Sequence, residues 1–124
     1  MAFLLDTNVA IRLRDGDAAI TQRVAALDDA VLTSIVTRVE LEGGVYREPS
    51  QAHLRRARLD AIPTLGFGDE AAEAYGAIVA SAGYSRRKLL DRIIAAQAVV
   101  RRASLITLNR DDIADIPDLL LVAW

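Results

Sequence analysis

Short apolar runs alternate along this chain with longer segments of helical pattern, and that alternation restricts the fold more than any other feature. Residues 3–5, 31–34, 63–67, 104–107 and 119–122 read as strands. Between them the pattern predicts helices over 8–14, 17–27, 36–46, 51–61, 69–82 and 90–102, and a short one near 111–114. The Asp15-Gly16 turn stops the first helix, Asp17 can cap the second, and Gly83-Tyr84-Ser85 forms a loop before the alanine-rich helix. Strands alternating with helices call for a parallel sheet covered on both faces. The expectation is a three-layer α/β/α fold around a mostly parallel sheet of about five strands. At 124 residues, 52% of them hydrophobic, the chain reads as one domain over 1–124. A domain of that size buries about two thirds of its unfolded-state surface.

Four acids stand at or near the ends of these elements. Asp6 closes the first apolar run, Glu40 lies on the third helix, Asp91 opens the alanine-rich helix, and Asp112 follows the fourth strand. A carboxylate embedded in apolar sequence is costly unless something compensates it. In parallel α/β sheets ligands bind beyond the carboxyl ends of the strands. Asp6 stands at one such end, and Asn109-Arg110-Asp111-Asp112 just past another. One shared site is therefore expected, with a divalent cation on hard oxygen ligands as the compensator and phosphoryl transfer as the chemistry.

Each acid has a plainer reading. Asp6-Thr7-Asn8 could simply cap the first helix, although Thr7 or Asn8 can do that and leave Asp6 free. Glu42 lies one turn from Arg38 and reads as a solvated ion pair, whereas Glu40 has no basic partner one turn away. Gly43 and Gly44 weaken that helix, which suggests either termination or the close approach of another backbone. Asp91 gains from the helix dipole, but its face also carries Ile94, Ala95 and Ala98, a small apolar strip that suits packing. Arg92 reads as an ordinary surface charge and His53 as an exposed residue on a polar helix.

The net charge of −2 does not announce a nucleic-acid binder, yet of 15 basic residues only Lys88 is lysine. Arginine's planar fork suits phosphate, and Arg86-Arg87-Lys88 precede Asp91 closely enough to guide a nucleic-acid backbone. The absence of cysteine excludes disulfides and thiolate metal sites and fits a reducing cytoplasm. The apolar runs are too short for a membrane helix, and Asp6 interrupts the first too early for a signal peptide.

Taken in order, these motifs resemble a PIN-domain ribonuclease of the VapC type, the toxin of a bacterial type II toxin–antitoxin pair. The resemblance runs through Leu5-Asp6-Thr7-Asn8, then Ser34, Thr37, Glu40-Leu41 and Gly44. It continues through Asp91-Arg92-Ile93-Ile94-Ala95-Ala96-Gln97-Ala98, Thr107-Leu108-Asn109 and Asp112 to Ile116-Pro117-Asp118-Leu119 and Trp124. It implies a metal-dependent endoribonuclease in which Asp6, Glu40, Asp91 and Asp112 surround Mg²⁺ or Mn²⁺. Asp6 and Asp91 would be direct ligands; Glu40 would bind directly, through water, or orient the nucleophile; Asp112 would complete the shell. Thr7, Asn8, Thr107 and Asn109 would support the cluster, and Arg86, Arg87 and Lys88 would guide RNA. The products would carry a 5′-phosphate and a 3′-hydroxyl. The resemblance further implies a cytoplasmic homodimer, free of membrane, within a larger assembly with an antitoxin that itself binds operator DNA. Two departures stand out: Ile113 occupies a place usually aromatic, and Asp111 beside Asp112 leaves the fourth acid open between them.

Two other classes compete. A receiver-like signalling domain would want adjacent acids near the first strand and a lysine after a late one; Asp6 has no acidic neighbour, and Lys88 precedes a helix. The second is a catalytically silent PIN-fold interaction module acting within an antitoxin–DNA complex.

Overall fold

A computed structural model describes residues 1–124. Its five strands are β1 (Phe3–Leu5), β2 (Val31–Ser34), β3 (Thr64–Leu65), β4 (Ser104–Thr107) and β5 (Leu120–Ala123). All pair in parallel, in the order β3-β2-β1-β4-β5. The helices are α1 (Thr7–Arg14), α2 (Ala18–Ala25), α3 (Ile35–Val45), α4 (Ala52–Asp60), α5 (Asp69–Ala82) and α6 (Leu89–Arg101). Pro49–Gln51 and Arg110–Asp112 form 3₁₀ turns.

The period-2 alternation of strand side chains explains the layers. Leu4 and Leu105 face one side, where they pack with Ile78, Ile94, Ala95 and Ala98 of α5 and α6. Leu5 and Ile106 face the other, against Val9, Ala10, Ile20, Leu41, Val45 and Leu59 of α1 to α4. Alanines on α6 are wholly buried, so small side chains bring that helix close to the sheet. Asp17 caps α2 by accepting from the Ile20 amide at 3.0 Å, as expected.

Most boundaries shift by one or two residues from the sequence reading, and three of the differences have a plain structural setting. β3 is only Thr64–Leu65, because its partner β2 ends at Ser34, paired with Leu65, and turns at once into α3. Gly66 and Phe67 have no strand left to join. Arg102 ends α6 in the left-handed region (φ 56°) instead of continuing it. The last helical segment is a 3₁₀ turn at Arg110–Asp112, which begins one residue and ends two residues before the predicted 111–114.

The chain runs from β1 outward to β2 and β3, then returns to place β4 on the other side of β1. That reversal opens a crevice at the carboxyl ends of β1 and β4, where parallel α/β sheets bind ligands.

Candidate active site

Asp6 leaves β1 and enters α1 at this crevice, with only 6% of its surface exposed. It is itself the N-cap: Oδ1 accepts from the Thr7 amide at 2.8 Å. This corrects the reading that Thr7 or Asn8 would take the cap. Asp6 does both jobs because a carboxylate has two oxygens, and Oδ2 accepts from the Thr107 hydroxyl at 2.8 Å.

Thr107 ends β4 fully buried, and its Oγ1 also accepts from the Asn109 amide at 3.0 Å. Asn109 Nδ2 in turn donates to Asp112 Oδ2 at 2.5 Å. A continuous chain of hydrogen bonds thus joins Asp6 to Asp112 through Thr107 and Asn109. Asn8 is exposed on the first turn of α1. The Thr7 and Thr37 hydroxyls share a hydrogen bond of 2.9 Å, which ties the start of α1 to α3 one turn before Glu40. Thr37 appeared in the sequence only as a motif position; its spacing from Glu40 was the available signal for a supporting role.

Asp91 lies half-buried in the first turn of α6. Burial raises its carboxyl to a pKa of about 6, reinforced by the charges of Asp6, Asp112 and Glu40 and partly opposed by Lys88. All four expected acids therefore bear on one place, although they come from α1, α3, α6 and the segment after β4. Asp112, not Asp111, is the neighbour that acts on Asp91, and Asp111 is exposed.

The two acids of α3 differ as the sequence suggested, though Glu42 is more than a single ion pair. It binds both Arg56 and Arg38 (3.3 Å), and Arg38 reaches on to Asp60 at 2.6 Å. Those arginines, Arg56 first, hold the Glu42 carboxyl below its usual range. Glu40 has no such partner among the chain's ion pairs. Gly44 admits a side chain instead of a backbone: the buried Arg14 guanidinium lies against it and donates to the Leu41 carbonyl at 3.3 Å.

Arg86 and Arg87 are exposed before α6, and His53 is exposed on α4. Lys88 is half-buried, 3.7 Å from Asp115. Arg92 overturns its reading as a surface charge: it is 3% exposed, and its guanidinium donates to the Gly83 carbonyl. Apolar α6 leaves little polar signal, and nothing in the local pattern marks Arg92 as buried.

The acids influence one another without converging: no three acidic or histidine side chains gather tightly enough to enclose an ion. Carboxylates 4 Å apart would repel by roughly 4 kcal/mol at an effective dielectric of 20, so closer approach calls for a cation or a proton. The donor set is nevertheless chemically apt. Four carboxylates, with no cysteine and no histidine among them, suit a hard divalent ion such as Mg²⁺ or Mn²⁺ better than zinc. The largest cavity, about 540 Å³, lies elsewhere, between the β3–α5 loop and α6, and none of the four acids lines it.

The PIN-domain family model matches residues 3–119. This chain belongs to the PIN-domain family. No curated protein matches it in sequence. Among solved structures it is similar to a toxin–antitoxin complex from Klebsiella pneumoniae, at 29% identity over 97% of this chain and 95% of that one, with a TM-score of 0.78. VapBC-5 from Mycobacterium tuberculosis, of the VapBC family of toxin–antitoxin systems, is also 29% identical, over 99% and 98% of the two chains, with a TM-score of 0.70. The DNA-bound VapBC of Salmonella typhimurium shares the fold at 23% identity, with a TM-score of 0.83 over 100% and 98% of the two chains. The parallel sheet and flanking helices of this PIN protein thus bear out the expected fold class and family. No helix is long and apolar enough to cross a membrane.

Proposed function

We propose that this PIN protein is the toxin of a toxin–antitoxin pair, an endoribonuclease that hydrolyses RNA phosphodiesters with Mg²⁺ or Mn²⁺ in the cytoplasm. The observation that carries this reading is the half-buried Asp91 carboxyl, bearing the charges of Asp6, Glu40 and Asp112 at the switch point of the sheet. A half-buried carboxyl that bears the charge of three other acids is relieved by a proton or by a cation. The likeness to toxin–antitoxin complexes at 29% identity supports the cellular role.

In this reading Asp6 and Asp91 are direct ligands, and Asp112 completes the shell. A bound divalent ion would stabilise the charge growing on the phosphate and acidify the attacking water. The chain's own residues supply order. Thr107 fixes the rotation of Asp6, and Asn109 does the same for Asp112. Glu40, exposed and without an ion-pair partner, is available to bind the metal or orient the attacking water. Thr7 and Thr37 hold its helix to Asp6. Arg86 and Arg87, exposed beside the α6 start, face solvent where an RNA backbone would pass, and Lys88 adds positive charge near Asp91. In-line attack by water with departure of the 3′ oxygen leaves a 5′-phosphate and a 3′-hydroxyl. The antitoxin, the homodimer and operator DNA reached through the antitoxin complete the proposal.

Purified, antitoxin-free protein should be incubated with total cellular RNA and Mg²⁺ or Mn²⁺, with EDTA and an Asp6→Ala/Asp91→Ala variant as controls, and cut ends mapped individually. Cuts that need metal and vanish in the variant support the reading and reveal the target. A folded protein that binds metal but cuts nothing would make it an interaction module.

A further inference from the structure

Arg92 is the one buried cation whose surroundings do not account for it. It follows Asp91 on α6, yet its partners are Gly83 and Asp115 and none of the four acids; the cation that bears on Asp91 is Lys88. Its guanidinium donates to the Gly83 carbonyl, in the loop after α5, and reaches Asp115 Oδ2 at 3.5 Å. Its Nε finds no partner at all. Asp115 is shared with Lys88 at 3.7 Å and is itself exposed. A buried arginine with a long ion pair and an unsatisfied N–H adds little to stability, and well-packed apolar replacements of such groups are often neutral or stabilising.

What Arg92 does achieve is geometric. Asp115 lies three residues beyond Asp112, on the segment that returns from the 3₁₀ turn, and Gly83 ends α5 with φ 82°. The guanidinium therefore joins two connecting segments to the first turn of the helix that carries Asp91. Ile113 and Ile116, both buried, anchor the same segment in the core, but they fix its depth, and an apolar contact does not fix its rotation. The directional contact from the guanidinium to Asp115 restricts that rotation.

We propose that Arg92 is a positioning residue for the acidic site, holding the Asp112 segment in register with Asp91 through Asp115 and Gly83. This rests on the metal-site reading above. Groups hydrogen-bonded directly to metal ligands typically affect metal affinity by about 10–100-fold, and Arg92, which acts one contact further out, belongs at the lower end of that range.

The test is Mn²⁺ binding to wild type, Arg92→Met, Arg92→Lys and Asp115→Ala by titration calorimetry, with Tm measured without metal on the same samples. Asp115→Ala changes an exposed side chain and keeps the outcome readable if Arg92→Met fails to fold. The expected result is tenfold or greater weakening in Arg92→Met, a smaller loss of at least threefold in Asp115→Ala, and partial recovery in Arg92→Lys, with metal-free Tm unchanged or raised in the methionine variant. Mn²⁺ affinity within twofold of wild type in Asp115→Ala, or in a folded Arg92→Met, overturns the proposal. If wild type itself binds no Mn²⁺, the metal-site reading fails first, and the role proposed for Arg92 fails with it.

Discussion

Thr107 donates its hydroxyl to Asp6 at 2.8 Å across 101 positions of sequence, joining the end of β4 to the end of β1. Both partners are buried, so the bond is shielded from water and orders a carboxylate that α1 also uses as its cap. Thr107→Val keeps the β-branched shape and removes only the hydroxyl. It is expected to cost about 1.5–3 kcal/mol, the range for a bond to a charged group. Urea unfolding without metal measures that loss, and Mn²⁺ titration of the same variant should show weaker binding.

The Asp91 carboxyl, at about 6 in the folded chain against 3.8 unperturbed, sets the direction of a pH effect. Between those values the folded chain holds a proton that the unfolded chain has released. This contribution to metal-free stability is fully present below about pH 4 and is lost as pH rises through about 6. Tm scans from acid to neutral pH in EDTA should show that decline in wild type and a flatter profile in Asp91→Asn. Added Mn²⁺ should raise the wild-type Tm most at neutral pH, where the carboxylate is free to bind it. The asparagine variant should gain far less and cut no RNA.

Asp112 and Asp111 are neighbours with different fates. Asp112 accepts from Asn109 and acts on Asp91, whereas Asp111 is exposed. Asp112→Asn should lower kcat/KM for RNA cleavage by about 100-fold, the loss of a few kcal/mol of transition-state stabilisation. Asp111→Asn should stay within about threefold, a change below 1 kcal/mol. Equal losses in the two variants would contradict the assignment of the fourth acid.

Gly43 and Gly44 should respond to alanine in opposite directions. A Cβ at Gly43 meets nothing, so alanine there should stabilise α3 by about 0.5–1 kcal/mol. At Gly44 it would collide with the Arg14 guanidinium, which is buried and tethered to Leu41 and Asp15. Displacing that group should cost about 1–3 kcal/mol, as overpacking generally does. Paired thermal melts of the two variants check the sign.

The layers and strand positions were legible in the sequence because apolar periodicity is a local property: Leu4 and Leu5 must face opposite sides of any sheet they join. Asp6 and Asp91 stood out for a related reason, since each borders an apolar segment where a lone charge is unfavourable, whereas Glu40 and Asp112 stood out only through the order of motifs. Bonds between distant segments were not. Whether Asp6 caps α1, binds Thr107, or does both depends on β4 pairing beside β1, and nothing near residue 6 encodes that. Which of Asp111 and Asp112 accepts from Asn109 depends on the turn that carries all three.

Arg92 marks the same boundary from the other side. Its own sequence determined a helix position next to an acid, and helical periodicity alone allowed a solvated charge there. Only the tertiary structure decided that the loop after α5 and the segment after β4 close over that position. Burial of a long side chain is set by what packs over it, and those elements come from opposite sides of α6 in the chain. Local pattern thus determined which segments form strands and helices and which carboxylates lie at their ends. Chain reversal and packing decided which side chains meet.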